Sequence, residues 1–324
     1  MINVLTVMPL TEEYQEILQA VSPELKFYHA GTGQVPDGIL KEADIIVGNL
    51  PPARVKEADH LRLLQLNSAG TDGYLEPGVL PAGTKLCNAT GAYGLAISEH
   101  MLGMLLMLMK KLDRYQEDQK RHQWTDEGNV TSIYGSRTLV VGMGDIGTEF
   151  GRKMHALGST VAGVRRHRTA APEFAEAVYT MEELDEQLAR ADIVACSLPG
   201  TKETYHLFDK ERLGKMKPGA ILINVGRGSL IASDALIDAL ESGRLAGACI
   251  DVTEQEPLPE DSPLWDAPNL LITPHVSGQY HLEETRRRIV HIAAENIRAL
   301  LEDGALRNEV DFETGYRKFT GQTE

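Results

Sequence analysis

Thr138-Leu139-Val140-Val141-Gly142-Met143-Gly144-Asp145-Ile146-Gly147 joins an apolar run to a glycine-rich turn and opens a helical stretch through Leu157. A strand feeding G-x-G-x-x-G and then a helix is the local pattern of a dinucleotide-binding unit. Gly142 would make the tight turn, Gly144 would let backbone N–H groups approach a pyrophosphate, and Gly147 would let the helix pack close on the strand. Spaced glycines alone also describe a flexible turn. The strand, the helix and a second strand at 160–164, all in register, give this motif its meaning. Asp145 and Ile146, at the helix start, belong to the same candidate contact.

Outward from the motif, residues 137–141, 160–164, 192–198, 220–225, 245–251 and 270–273 read as six buried strands, enough for a doubly wound parallel sheet. Residues 2–8, a helix from Thr11, and residues 25–29, 44–47 and 63–66 repeat the alternation upstream. One strongly apolar helix is expected over 96–112. The charged stretch 113–124 follows it, as a boundary or an exposed arm would. After His281 a helical pattern rich in charge pairs runs to about residue 302 without a new α/β unit, so it is expected to pack back on the first domain. The reading is an α/β protein of two Rossmann-like or flavodoxin-like domains, with doubly wound parallel sheets and the chemistry in the cleft between them. Residues 1–99 plus 284–324 would form the substrate domain and residues 100–283 the dinucleotide-binding domain.

The 324 residues suit two domains, and 42% hydrophobic with 24% charged residues excludes collagenous and disordered classes. Thirty-two basic against forty-seven acidic residues give a net charge of -15, the wrong sign for phosphate-backbone binding, so no nucleic-acid partner is expected. Cys87, Cys196 and Cys249 lack CxxC spacing, which argues against a disulfide framework or a thiolate metal site and fits a reducing cytoplasm. The N-terminus reads as a strand rather than a signal peptide, and no apolar run approaches the roughly 20 residues of a membrane span.

In an acidic chain the cluster Arg165, Arg166, His167, Arg168 stands out. It follows the second strand of the dinucleotide unit, where NAD-specific sites place a carboxylate for the ribose hydroxyls. Guanidinium groups there can instead form charge-assisted hydrogen bonds to the 2'-phosphate of NADP. The expectation is that Arg165 and Arg166, helped by His167 or Arg168, select NADP(H), with NAD(H) as the alternative and a solvated basic loop as the duller reading. Three later strands end in polar residues: Val225 and Arg227 after one, Asp251 with Glu254 and Glu256 after the next, and Thr273 and His275 after the last. Ligands of open α/β sheets bind beyond such strand ends. Hydride exchange with a carbonyl needs a proton donor and a cation for an anionic substrate, and His275 and Arg227 are suitable types.

The stretch from Met216 to Gly228, with Asp251-Val252-Thr253-Glu254-Gln255-Glu256-Pro257 and Thr273-Pro274-His275, resembles the D-isomer-specific 2-hydroxyacid dehydrogenase family. The resemblance extends to Ser68-Ala69-Gly70-Thr71-Asp72, Ser98-Glu99-His100, Leu198-Pro199 and Glu203-Thr204, and so covers nearly the whole chain. It implies that Arg227 binds the substrate carboxylate and carbonyl, that His275 donates and removes the proton, and that Glu256, the glutamate before proline, is the partner of His275. It further implies Ala69 and Gly70 amides on the substrate, Asp251 at the nicotinamide end, and Leu198, Pro199, Thr204 and Val225 among the cofactor contacts.

The implied activity is hydride transfer between NADP(H) and a small 2-keto or 2-hydroxy acid of D configuration, of the glyoxylate or hydroxypyruvate type. An NAD-linked enzyme for another 2-hydroxy acid and a dinucleotide-sensing binding protein are the alternatives. The sequence departs from the family pattern at Arg165, where an acid is usual, and at Thr253, where an aromatic residue is common. His122-Gln123-Trp124 resembles the subunit-interface arm of glyoxylate and hydroxypyruvate reductases, so a homodimer is expected.

Overall fold

Short β-branched and aliphatic runs form most strands of the computed structural model, which describes residues 1–315, 317 and 318. The chain opens with β1 (Ile2–Thr6), α1 (Glu12–Gln19), β2 (Leu25–His29), α2 (Asp37–Lys41), β3 (Ile45–Val47), α3 (Pro52–Val55), β4 (Leu63–Gln65) and β5 (Lys85–Cys87). These strands make one parallel sheet in the order β2-β1-β3-β4-β5, the flavodoxin-like winding. Thr11 starts α1 by accepting the Tyr14 amide hydrogen at 3.3 Å. Leu5, Ile46, Leu64 and Leu86 are buried in its core with Leu40, Leu50 and Leu66. Each such side chain contributes about 1.5 to 3 kcal/mol of apolar burial.

The second unit begins with α4 (Gly94–Met109), whose buried face carries Ile97, Met101, Met104, Leu105 and Met109. Lys111 adopts a left-handed conformation (φ 57°) and separates α4 from α5 (Leu112–Lys120), none of whose residues is buried. The charged stretch expected as a boundary or arm is therefore helical up to Lys120. There follow β6 (Arg137–Val141), α6 (Asp145–Ala156), β7 (Thr160–Val164), β8 (Ala177–Tyr179), α7 (Leu184–Leu188), β9 (Ile193–Cys196), α8 (Lys210–Lys215), β10 (Ala220–Asn224), α9 (Ser233–Glu241), β11 (Leu245–Ile250) and β12 (Leu270–Ile272). The sheet has seven strands, not six, in the order β12-β11-β10-β9-β6-β7-β8. The additional strand, β8, is Ala-Val-Tyr and lacks the paired Leu or Ile residues that mark the equally short β3, β4 and β12.

All of these neighbours pair in parallel. Val164, Val141, Cys196, Asn224, Ile250 and Ile272 are register partners across the sheet. Whatever follows these six residues leaves the sheet along one edge. The strand order reverses between β6 and β9, which is where a doubly wound sheet opens a ligand crevice.

The chain ends with α10 (Glu283–Leu301), which packs on α1 and β4 of the first sheet. The chain divides into Met1–Tyr93 with Tyr280–Glu324, and Gly94–Gln279. The first division comes earlier than residue 100 because α4 already starts at Gly94. Of the expected tail segment 284–324, residues 316 and 319–324 lie outside the described residues. No helix among the described residues is long and apolar enough to cross a membrane.

Candidate active site

The glycine turn after β6 has the geometry its sequence predicts. Gly142 has φ 96°, and a Cβ on it would lie 3.1 Å from the Ser197 backbone. Ser197 donates its hydroxyl to the Gly142 carbonyl at 2.8 Å, so the turns after β6 and β9 are held together. A Cβ at Gly147 would fall 2.4 Å from the Gly142 oxygen, the close approach that requires glycine. A Cβ at Gly144 would meet nothing within 4 Å, so the backbone there borders open space. Gly144 also caps α6 without any side-chain hydrogen bond. The positive end of a helix dipole thus faces that open space, an arrangement that fits a pyrophosphate. The Asp145 carboxylate turns elsewhere and accepts the Gly94 amide hydrogen at 2.9 Å; Ile146 is the next helical residue.

Arg165 is the first residue after β7, where its amide donates to the Tyr179 carbonyl at 3.0 Å and Nη1 lies 3.4 Å from the Thr169 hydroxyl. Arg166 and His167 follow in the exposed loop. Arg168 is engaged by Glu183 at 2.5 Å. The Thr180 amide and the Arg168 guanidinium hold the Glu183 carboxyl below its ordinary range.

After β9, Leu198 and Pro199 border the turn that follows β10, since a Cβ on Gly226 would fall 2.4 Å from the Leu198 oxygen. Thr204 is buried, and its hydroxyl donates to the Pro199 carbonyl at 2.8 Å. After β10 come Val225, which is buried, and half-buried Arg227. The buried Asn224 amide clamps this turn by donating to the Arg227 carbonyl at 2.9 Å and accepting the Gly226 amide hydrogen at 3.1 Å.

His275 lies just beyond β12 in a left-handed conformation, φ 53°, which is rare for a side chain of this size. Its Nδ1 is 2.7 Å from Glu256 Oε2, and Glu256 Oε1 accepts the Thr253 amide hydrogen at 3.1 Å. Both side chains remain solvent-accessible, 47% and 38% exposed. The structure pairs His275 with Glu256, while Glu254 turns to His206 and Ser233.

Asp251 is 1% exposed and serves as the anchor of the His275 segment. Its carboxylate accepts the Thr273 hydroxyl and the Val276 amide hydrogen on Oδ1, and the Ser277 amide hydrogen and hydroxyl on Oδ2. His100 of α4 joins this network through the Thr273 hydroxyl at 3.0 Å. Thr204 and Asp251, both expected at the cofactor, also hold the loops around them through these hydrogen bonds. Ser277 and Asn224 were not singled out from sequence; a short polar residue two positions after His275 and another three before Arg227 were the available signal.

In the first unit, Ala69 and Gly70 follow β4. Asn88 donates to the Ala69 carbonyl at 2.9 Å, Ser68 donates to the Gly70 carbonyl at 2.7 Å, and Asn49 holds Ser68 at 2.9 Å. The loop is thus fixed through its carbonyls. All three thiols are buried, and burial pushes Cys87 and Cys249 up to about 12 and raises Cys196 as well, which disfavours the thiolate.

The model of the D-isomer specific 2-hydroxyacid dehydrogenase NAD binding domain matches residues 102–277. Glyoxylate/hydroxypyruvate reductase B of Pectobacterium carotovorum is 33% identical over 265 residues, covering 79% of this chain and 81% of that protein. A D-isomer specific 2-hydroxyacid dehydrogenase family protein from Aeromonas salmonicida superposes with a TM-score of 0.85 at 34% identity, over 96% of this chain and 99% of the other. The D-isomer specific 2-hydroxyacid dehydrogenase of Xanthobacter autotrophicus, solved in complex with NADPH and MES, gives a TM-score of 0.81 at 28% identity, over 97% and 99%.

Proposed function

The chain belongs to the D-isomer specific 2-hydroxyacid dehydrogenase family and is an NAD(P)-dependent oxidoreductase, and from that premise we propose that it reduces glyoxylate, hydroxypyruvate or a closely similar 2-keto acid with NADPH. The observation that carries the reading is the 2.7 Å contact between His275 Nδ1 and Glu256 Oε2 at the end of β12. A carboxylate only accepts hydrogen bonds, so Nδ1 is the donor and Nε2 is the nitrogen left to exchange a proton with substrate. His275 gives that proton to the carbonyl oxygen during reduction and takes it back during oxidation. Arg227 binds the substrate carboxylate and offsets charge developing on the carbonyl oxygen.

The dinucleotide is held by the turn at Gly142, Gly144 and Gly147 with the start of α6 at Asp145 and Ile146, and by Leu198, Pro199 and Val225. When bound, it supplies the hydride. Arg165 and Arg166 follow β7 and supply the cations that a 2'-phosphate needs, and the Xanthobacter relative solved in complex with NADPH supports this reading. A homodimer belongs to this reading: Trp124 and Tyr134 of the segment after α5 lie wholly or largely exposed in a single chain, surface that a second copy would cover.

Steady-state oxidation of NADPH and of NADH with hydroxypyruvate and glyoxylate, repeated with His275→Ala, tests the proposal. Preferred use of NADPH, with a loss of roughly a hundredfold or more in the variant, is the expected result. Measurable cofactor binding without turnover would replace it with a dinucleotide-sensing role.

A further inference from the structure

The segment 251–257 brings Glu256 to His275 without forming helix or strand, so groups outside the segment must hold it. Two contacts do so. Its backbone lies directly on Gly228, where a Cβ would fall 1.9 Å from the Thr253 carbonyl. The Glu254 side chain reaches away from the segment, accepting the Ser233 amide hydrogen on Oε2 at 2.7 Å and meeting His206 Nε2 with Oε1 at 2.5 Å. Ser233 opens α9, whose N-cap Ala232 has no side-chain acceptor, so Glu254 supplies the missing cap from a distant part of the chain. His206 donates its amide to the Ser229 carbonyl at 2.8 Å, and Phe208 donates to Leu230 at 3.0 Å. Residues 206–208 are therefore laced to the turn that follows Arg227. One carboxylate ties the segment bearing Glu256 to both stretches flanking that turn. Burial pushes the Glu254 carboxyl up, but the hydrogen bonds from Ser233 and His206 outweigh it and hold the group below its ordinary range. It accepts as a full anion at neutral pH.

We propose that Glu254 is a positioning residue for the reaction, fixing the 251–257 segment so that Glu256 meets His275 Nδ1. The inference rests on the acid–base reading of His275 and Glu256. Its test is a double-mutant cycle of Glu254→Ala and Glu256→Ala, measured as kcat and KM with NADPH and hydroxypyruvate. Glu254→Ala is expected to lower kcat roughly tenfold to a hundredfold while leaving KM for NADPH unchanged. In the Glu256→Ala background the same change should cost little more, because nothing remains to be positioned. Glu254→Gln, which keeps an acceptor oxygen for the Ser233 amide, should recover part of the loss. Multiplying losses in the double variant, a parallel rise in KM for NADPH, or wild-type kcat in Glu254→Ala would each overturn the proposal.

A second readout needs no turnover. The low-field Nδ1 proton of His275, present in wild type and lost in Glu256→Ala, should broaden in Glu254→Ala; an unchanged signal rejects the proposal. Wild-type turnover and its loss in His275→Ala judge the acid–base reading separately, so the two failures are distinguishable.

Discussion

Asp251 and His275 are joined through the main chain: the His275 amide donates to the Asp251 carbonyl at 2.8 Å, while the Asp251 carboxylate accepts the Val276 and Ser277 amide hydrogens at 3.0 and 3.1 Å. The end of β11 thereby dictates the course of the chain beyond β12. The left-handed conformation of His275 costs backbone energy, of order 1 kcal/mol or more. The buried carboxylate offsets that cost by satisfying the amides that the turn exposes.

Asp251→Asn tests this arrangement. All four groups on the carboxylate are donors, and an asparagine must turn its NH2 toward one pair of them. Each buried donor left unpaired costs about 1 to 3 kcal/mol. A loss of roughly 2 to 5 kcal/mol in urea unfolding is expected, together with a fall in kcat as His275 shifts. A variant with the wild-type urea midpoint would show that the carboxylate does not anchor the segment.

Glu256→Gln separates orientation from charge. The amide of glutamine can either accept from Nδ1 or donate to it, so the imidazole tautomer is no longer enforced. With hydrogen on Nε2 in the neutral ring, His275 cannot take a proton from a hydroxy acid. Oxidation of the hydroxy acid should therefore fall at least as far as reduction of the keto acid, by roughly tenfold to a thousandfold, with KM for NADP(H) little changed. Wild-type activity of Glu256→Gln in both directions would remove Glu256 from the proposed chemistry.

Gly228→Ala addresses the packing beneath the same segment. The added methyl would overlap the Thr253 carbonyl at 1.9 Å, and backbone rather than a flexible side chain must move. Overpacking of this kind costs about 1 to 3 kcal/mol, and displacement of the Glu256 segment should lower kcat by tenfold or more. Thermal unfolding and kinetics on one preparation would check both, and wild-type values in each would contradict the observed packing.

The strands were legible where branched aliphatic residues stood side by side or alternated with polar ones, and the glycine spacing after β6 marked the nucleotide turn. Lys85–Cys87 and Ala177–Tyr179 escaped because neither carries the paired Leu or Ile residues that mark the equally short β3, β4 and β12. The break between α4 and α5 escaped because it falls on Lys111, a residue type that gives no left-handed signal. Arg227 and His275 stood out because each follows a buried strand by a few residues. The choice between Glu254 and Glu256 was not in their spacing, since both lie in one irregular loop. It is made by groups far away in sequence: Ser233 and His206 take the one, and His275 takes the other.

Arg165→Asp is the decisive substitution for the cofactor. Arg165 leaves β7 at the position where a carboxylate would accept ribose hydroxyls, and its amide is fixed to Tyr179. If Arg165 holds the 2'-phosphate as proposed, replacing it with aspartate removes a charged hydrogen bond, about 1.5 to 3 kcal/mol, and adds repulsion. The ratio of kcat/KM for NADPH to that for NADH should fall roughly tenfold to a hundredfold or more, carried by KM for NADPH. Arg168→Ala should change the ratio only slightly, because that guanidinium is already paired with Glu183. An unchanged ratio in Arg165→Asp would make the basic cluster a solvated loop, and a large effect of Arg168→Ala alone would move the phosphate contact to the far end of that loop.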